Sequence, residues 1–105
     1  MAVTTIPGNA GSISVVSVSW TPTIVATITA PAQTVTVPGV LVGDAVFVTP
    51  PAQTAGVTIG SAYVSAANTV SVQFVNPTAG GVTPAAGVHK FMIMRPDQSI
   101  AKVLV

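Results

Sequence analysis

Residues 43–84 read GDAVFVTPPAQTAGVTIGSAYVSAANTVSVQFVNPTAGGVTP. Three apolar-alternating runs lie inside, at 45–49, 57–64 and 69–75. Each ends in turn chemistry: Pro50-Pro51, then Ser65-Ala66-Ala67-Asn68, then Asn76-Pro77 leading to Gly80-Gly81. Strand, turn, strand, turn, strand with no helical period between them is the pattern of a β-meander or Greek key. Val70, Val72 and Phe74 give the cleanest period-two face, opposed by Ser71, Gln73 and Val75. The stretch holds almost no side chain able to do chemistry, which points toward a role exercised through surfaces.

Outward from this stretch the same grammar continues. Toward the N-terminus, residues 13–20 place Ile13 and Val15 on one face and Val16, Val18 and Trp20 on the other. That parity switch predicts a bulge, or a strand buried on both sides. Residues 23–30 alternate Ile24, Ala26, Ile28 and Ala30 against Thr23, Val25, Thr27 and Thr29, which predicts a half-buried strand in a hairpin with 13–20. Residues 33–37 and 40–42 are short strands around Pro38-Gly39, where Pro presets φ and Gly supplies the positive φ of a type II turn. Toward the C-terminus, residues 88–94 set His89, Phe91 and Ile93 against Val88, Lys90, Met92 and Met94, and residues 100–105 make a last apolar run. The expected fold is all-β: a single-domain β-sandwich, jelly-roll or Ig-like, of about eight or nine short strands over residues 13–105. Residues 1–12 form a flexible N-terminal arm in this reading.

Composition narrows the function. Of 105 residues, 50% are hydrophobic and only 5% charged, against about 25% charged in an ordinary soluble domain. A surface this poor in charge stays in solution through Thr, Ser, Asn and Gln, or is covered by copies of itself or by a partner. The net charge of +1 supplies no basic footprint for nucleic acid. No run reaches the length of a membrane span, and aromatics at 5% are too sparse for the girdles of an outer-membrane barrel. The N-terminus shows no basic and apolar signal-peptide regions, from which a product released into a cytoplasm is expected.

Catalytic and metal chemistry have little to draw on. Asp44 and Asp97 are the only carboxylates, and each sits in turn chemistry, after Gly43 and Pro96. His89 is the single histidine, and no Gly-x-Ser-x-Gly elbow marks a nucleophile to go with it. Its expected role is packing or interface contact. There is no cysteine and no Asp-x-Asp spacing, so no catalytic, cofactor or metal site is expected. Trp20, Tyr63 and Phe91 offer the alternative of a carbohydrate-binding face, against the plainer reading that each anchors the core. Candidate interface residues lie at the two ends: Val3 and Ile6 in the arm, and Ile100, Val103 and Val105 in the last run.

Three segments carry a family resemblance: GDAVFVTPP at 43–51, AGVTIGSAYVSAANTVSVQFVNPTAG at 55–80 and VTPAAG at 82–87. They resemble small structural proteins of tailed bacteriophages, of the head decoration (cement) type. The resemblance covers the central and C-terminal two-thirds of the chain and rests on turns and strand alternation. It implies a non-enzymatic β-sandwich that clusters as a homotrimer on the outer capsid surface of the virion and clamps the major capsid protein. A tail, neck or fibre component would be built in the same way. The motif carries no functional residues to transfer.

Overall fold

Val70, Val72 and Phe74 alternate with Ser71 and Gln73, and the strand they make, β5 (Thr69–Val75), is the middle strand of one sheet. The computed structural model describes residues 10–96, and within them the chain forms six strands and no helix. The other five are β1 (Ala10–Trp20), β2 (Ala32–Thr36), β3 (Ala45–Thr49), β4 (Thr58–Ala66) and β6 (Gly87–Pro96). They make two three-stranded sheets, ordered β1–β6–β3 and β2–β5–β4, with every pair antiparallel.

The two sheets share one apolar core. β6 contributes Phe91 and Ile93, and β5 contributes Val70, Val72 and Phe74, all almost fully buried. Registers place Val16 and Val48 on either side of Phe91, and Val35 and Val64 on either side of Val70. Each central strand is therefore flanked by branched side chains on the inward face, the arrangement that stabilises antiparallel pairs. Trp20 crosses from β1 to meet Phe74 at a ring-centroid distance of 5.7 Å.

Several strand expectations hold. The runs at 45–49 and 69–75 are strands over those same residues, and those at 33–37, 57–64 and 88–94 shift by only a few residues. β1 begins at Ala10, inside the stretch assigned to the arm. Other expectations are not met. The described residues hold six strands rather than eight or nine. Residues 40–42 form no strand but link two turns, at 38–39 and 42–43, and Gly39 has a φ of 95°, the positive value the Pro38-Gly39 turn requires. β3 does not pair with β4, so the meander is broken after its first strand; β3 joins β6 in the opposite sheet. The last apolar run at 100–105 lies outside the described residues.

Residues 23–30 depart furthest from their pattern. They form no strand and no hairpin with β1, which pairs with β6 instead. Their backbone pairing is limited to two isolated bridges, Val25 to Val82 and Thr29 to Asn76, and the Gln33 side chain bonds both the N–H and the carbonyl of Thr23. Val25, on the mixed face, is fully buried, whereas Ile24 and Ile28 of the apolar face are exposed. Ile28 has a φ of 49°, a left-handed conformation that a β-branched residue seldom adopts and that interrupts extended pairing.

A buried amide replaces the missing strand pairing. Asn76, with no exposed surface, donates from Nδ2 to the carbonyls of Val25 and Gly80, both at 2.9 Å. Its Oδ1 accepts the backbone N–H of Thr78 at 2.9 Å and the Thr78 hydroxyl at 2.6 Å. Its backbone exchanges hydrogen bonds with Thr29. One side chain thus ties the β1–β2 connection to the β5–β6 connection across 51 positions of sequence. Asn76→Ala should destabilise the domain by about 1–3 kcal/mol for each buried group left without a partner. Asn76→Asp should cost more, because it turns a carboxylate toward two carbonyls. Urea unfolding followed by far-UV circular dichroism measures both.

Candidate functional site

The charged side chains among the described residues are Asp44, Lys90 and Arg95, and two of them neutralise each other. Arg95, near the end of β6, donates from Nε to Asp44 Oδ1 at 2.9 Å and from Nη2 to Asp44 Oδ2 at 2.8 Å. The fork of the guanidinium matches the two carboxylate oxygens, the geometry that makes such pairs directional. Nη2 also donates to the carbonyl of Gly39, and Asp44 Oδ2 accepts the N–H of Leu41. The 37–44 connection between β2 and β3 is thereby locked to the end of β6. Asn68 holds it from the other side: its Oδ1 accepts the Gly39 N–H and its backbone bonds Val37 and Val40. The turn role expected of Asp44 is thus present, in the service of an ion pair that sequence spacing did not indicate.

His89 lies at the opposite end of β6. It is buried, its Nδ1 contacts the carbonyl of Gly87 at 3.0 Å, and its ring meets the edge of Trp20 at 5.1 Å. A carbonyl only accepts, so Nδ1 carries the proton in this contact and the ring serves as a packed, hydrogen-bonded wall. Six residues of extended strand separate His89 from Arg95 and its partner Asp44, roughly 20 Å at about 3.3 Å per residue. His89 and Asp44 therefore do not meet, and no relay joins them. Among the described residues no group of three His, Cys, Asp or Glu side chains comes together. Asp97 and Lys102 lie outside the described residues.

Beside His89 the two layers part into an open groove of about 900 Å³. Val48, Ile59, Phe74, Val75 and Pro84 form much of its wall, and His89 is the one titratable side chain lining it. The groove has an apolar lining with Gln53, Thr54 and Thr58 at hand, and no pair of groups set for proton transfer or nucleophilic attack.

The three candidate sugar-stacking aromatics are not brought together. Phe91 is fully buried and Trp20 is packed against Phe74 and His89, as core anchors. Tyr63 is 62% exposed, on the outer side of β4, opposite Ser71 of β5. No face presents two of these rings to a ligand. The candidate interface residues Val3, Ile6, Ile100, Val103 and Val105 all lie outside the described residues.

What the candidates missed is an apolar outer surface. Exposed large side chains occur on the outside of the β1–β6–β3 sheet (Ile13, Val15, Phe47, Val88, Met92), at the 41–42 turn (Leu41, Val42) and on the β1–β2 connection (Ile24, Ile28). The signal was present in β3 and β6, where both parities are apolar: Val46 and Val48 against Phe47, and Phe91 and Ile93 against Met92 and Met94. Compared with protein-family models, with curated proteins and with solved structures, the chain matches none.

The Asp44–Arg95 pair has a definite pH signature. Donation from Arg95 holds the Asp44 carboxyl below its ordinary value of 3.8; burial opposes this, and the Leu41 N–H and the Arg95 charge reinforce it. A carboxyl whose folded value is depressed contributes stability that is present above its unfolded value and is lost as pH falls through the folded one. Urea midpoints of the native chain should therefore fall as pH drops below about 4. Asp44→Asn should be less stable at neutral pH and should show a flatter acid limb.

Proposed function

We propose that the chain is a non-enzymatic structural protein of a bacteriophage virion. In this reading it is a head decoration (cement) protein that lies on the outer capsid surface, against the major capsid protein and copies of itself. The observation that carries this reading is the distribution of exposed apolar side chains. They stand on three separate regions, the β1–β6–β3 outer face, the 41–42 turn and the 24–28 connection. Exposed apolar patches rimmed by polar residues mark contact surfaces. A protein with a single partner needs one such region, whereas a component of a lattice touches neighbours on several sides.

The scarcity of charge supports the same reading. With Asp44 and Arg95 satisfied by each other, Lys90 is the charge left over among the described residues. Such a surface gains little from long-range steering toward a charged partner and suits contacts made by shape and apolar burial. The finer fold that accompanies this proposal is a single β-sandwich of jelly-roll or Ig-like type, with the N-terminal segment read from sequence as an arm over residues 1–12, or the last apolar run at 100–105, as the docking element.

Co-sedimentation with empty shells of the coat protein encoded in the same genome tests the proposal. The full chain should sediment with the shells in saturable amounts. Removal of residues 1–9 should weaken occupancy by about tenfold, a change of about 1.4 kcal/mol, and leave the β-rich circular dichroism spectrum intact. Absence of shell binding by the full chain would overturn the decoration role. Equal binding by the shortened chain would overturn the docking role of the arm.

A further inference from the structure

β3 stops one residue short of the row that holds His89. Its ladder with β6 ends at Thr49 opposite Lys90, and Pro50-Pro51 carries the chain out of the sheet. β4 begins only at Thr58, opposite Val75 of β5. The 50–57 connection spans these two strand ends and lines one side of the groove beside His89. Two close approaches fix that wall. A Cβ on Gly87 would lie 3.3 Å from Pro51 Cβ, and one on Gly56 would lie 3.0 Å from Thr78 Cγ2. Within the connection, the Val57 N–H bonds the Thr54 carbonyl. Packing at both glycines thus shapes the opening.

His89 is only 1% exposed, yet its ring lines this groove. Nδ1 is occupied by the Gly87 carbonyl, and Nε2 makes no hydrogen bond among the described residues. No sealed side-chain nitrogen or oxygen among those residues lacks a partner. Nε2 is therefore open to the groove. With the ring proton on Nδ1, Nε2 presents a lone pair there.

We infer that the groove binds a small, uncharged, mainly apolar molecule bearing one hydroxyl, which donates a hydrogen bond to Nε2 of His89. The size is that of a small-molecule site: about 900 Å³, where such pockets run from about 300 to 1,000 Å³. Neutrality follows from the lining, which contains no Asp, Glu, Lys or Arg. An ion placed there would give up water and meet no opposite charge. The apolar body follows from Val48, Ile59, Val75 and Pro84, and the single donor from the single deep acceptor.

Two other occupants fit less well. An extended peptide brings an N–H and a carbonyl at nearly every residue, each needing a partner when buried. Pro50, Pro77 and Pro84 bring no N–H to the lining. A sugar carries many hydroxyls and stacks on an open ring, whereas Phe74, the aromatic carbocycle in the lining, is 2% exposed. The inference does not rest on the proposed structural role, and its test uses no capsid.

Trp20, the single tryptophan, stands 5.1 Å from the His89 ring and reports on the site. The full chain is titrated with 1-decanol below its solubility limit, in buffer at about pH 8, where imidazole is uncharged. Trp20 emission should change saturably. Decyl methyl ether, which has no donor, should bind about tenfold more weakly, the loss of one hydrogen bond. Decanoate and decyltrimethylammonium should also bind more weakly than the alcohol. His89→Asn keeps a donor for the Gly87 carbonyl but removes Nε2, and should abolish the preference for alcohol over ether. Ala85→Leu, at a half-buried lining position, should weaken both and leave the far-UV spectrum unchanged.

A long-range ¹⁵N–¹H spectrum of the native chain adds a readout that needs no variant, since His89 is the one histidine. It should show the proton on Nδ1 and a bare Nε2. A protonated Nε2 would overturn the inference, as would an unsaturable response or equal affinity for alcohol and ether. Tighter binding of either ion would overturn the neutral class. Undiminished binding to Ala85→Leu would place the alcohol elsewhere on the apolar surface and overturn the site.

Discussion

The buried amide of Asn76 is the constraint on which the connections between the sheets depend. An antiparallel strand satisfies its backbone through its neighbours, but the long β1–β2 connection runs beside the core without a ladder of its own. Its backbone polar groups need partners wherever they are buried, because a lone buried carbonyl is costly. The Val25 carbonyl finds two, the N–H of Val82 and the side chain of Asn76. An amide serves because it presents two donors and an acceptor on one planar group. Nδ2 reaches two carbonyls while Oδ1 folds the 76–80 turn back on itself through Thr78.

At the other end of the layers the same task is divided between Asn68 and the Asp44–Arg95 pair. Asn68 sits at a φ of 60°, a conformation that asparagine tolerates better than most residues. From there it binds Gly39, Val37 and Val40. Arg95 approaches the same connection from β6. The 37–44 connection is thus held to both sheets, through the β4–β5 turn and through β6. A chain with 5% charged residues concentrates its polar side chains where crossovers must be fixed. Its strands are left to Val, Thr and Ser.

Strand identity was largely legible in the sequence because alternation is a local property. β3 and β5 fall on the residues that the pattern marked, and β4 and β6 differ only at their ends. Pairing was not legible, because register between distant strands depends on which faces meet. Residues 23–30 show the limit: Ile24, Ala26, Ile28 and Ala30 form a good apolar stripe, yet Val25 is the residue that enters the core. One buried valine, two backbone bridges and a donated amide outweigh the alternation. The Asp44–Arg95 pair was hidden for a similar reason, since its members lie 51 positions apart and only the β3–β6 pairing brings them near. Asn76, beside Pro77, was indistinguishable in sequence from an ordinary turn asparagine.

The outer face of β1–β6–β3 marks where legibility and meaning part. The parity switch between Val15 and Val16 is real, but it is neither a bulge at that point nor burial on both sides within one chain. β1 and β6 stay in register from Ser12 to Trp20, and Ile13 and Val15 point away from the core that holds Val16, Val18 and Trp20. The sequence pattern is that of a middle layer, and the described residues supply only one of the two neighbouring layers. This also accounts for the composition. A domain that exposed such a sheet to water permanently would need charge elsewhere to remain dispersed, and among the described residues Lys90 alone remains unpaired by an ion of opposite sign. The hydrophobic excess that left no room for catalytic groups and the unpaired sheet face are one property, seen first along the chain and then across the fold.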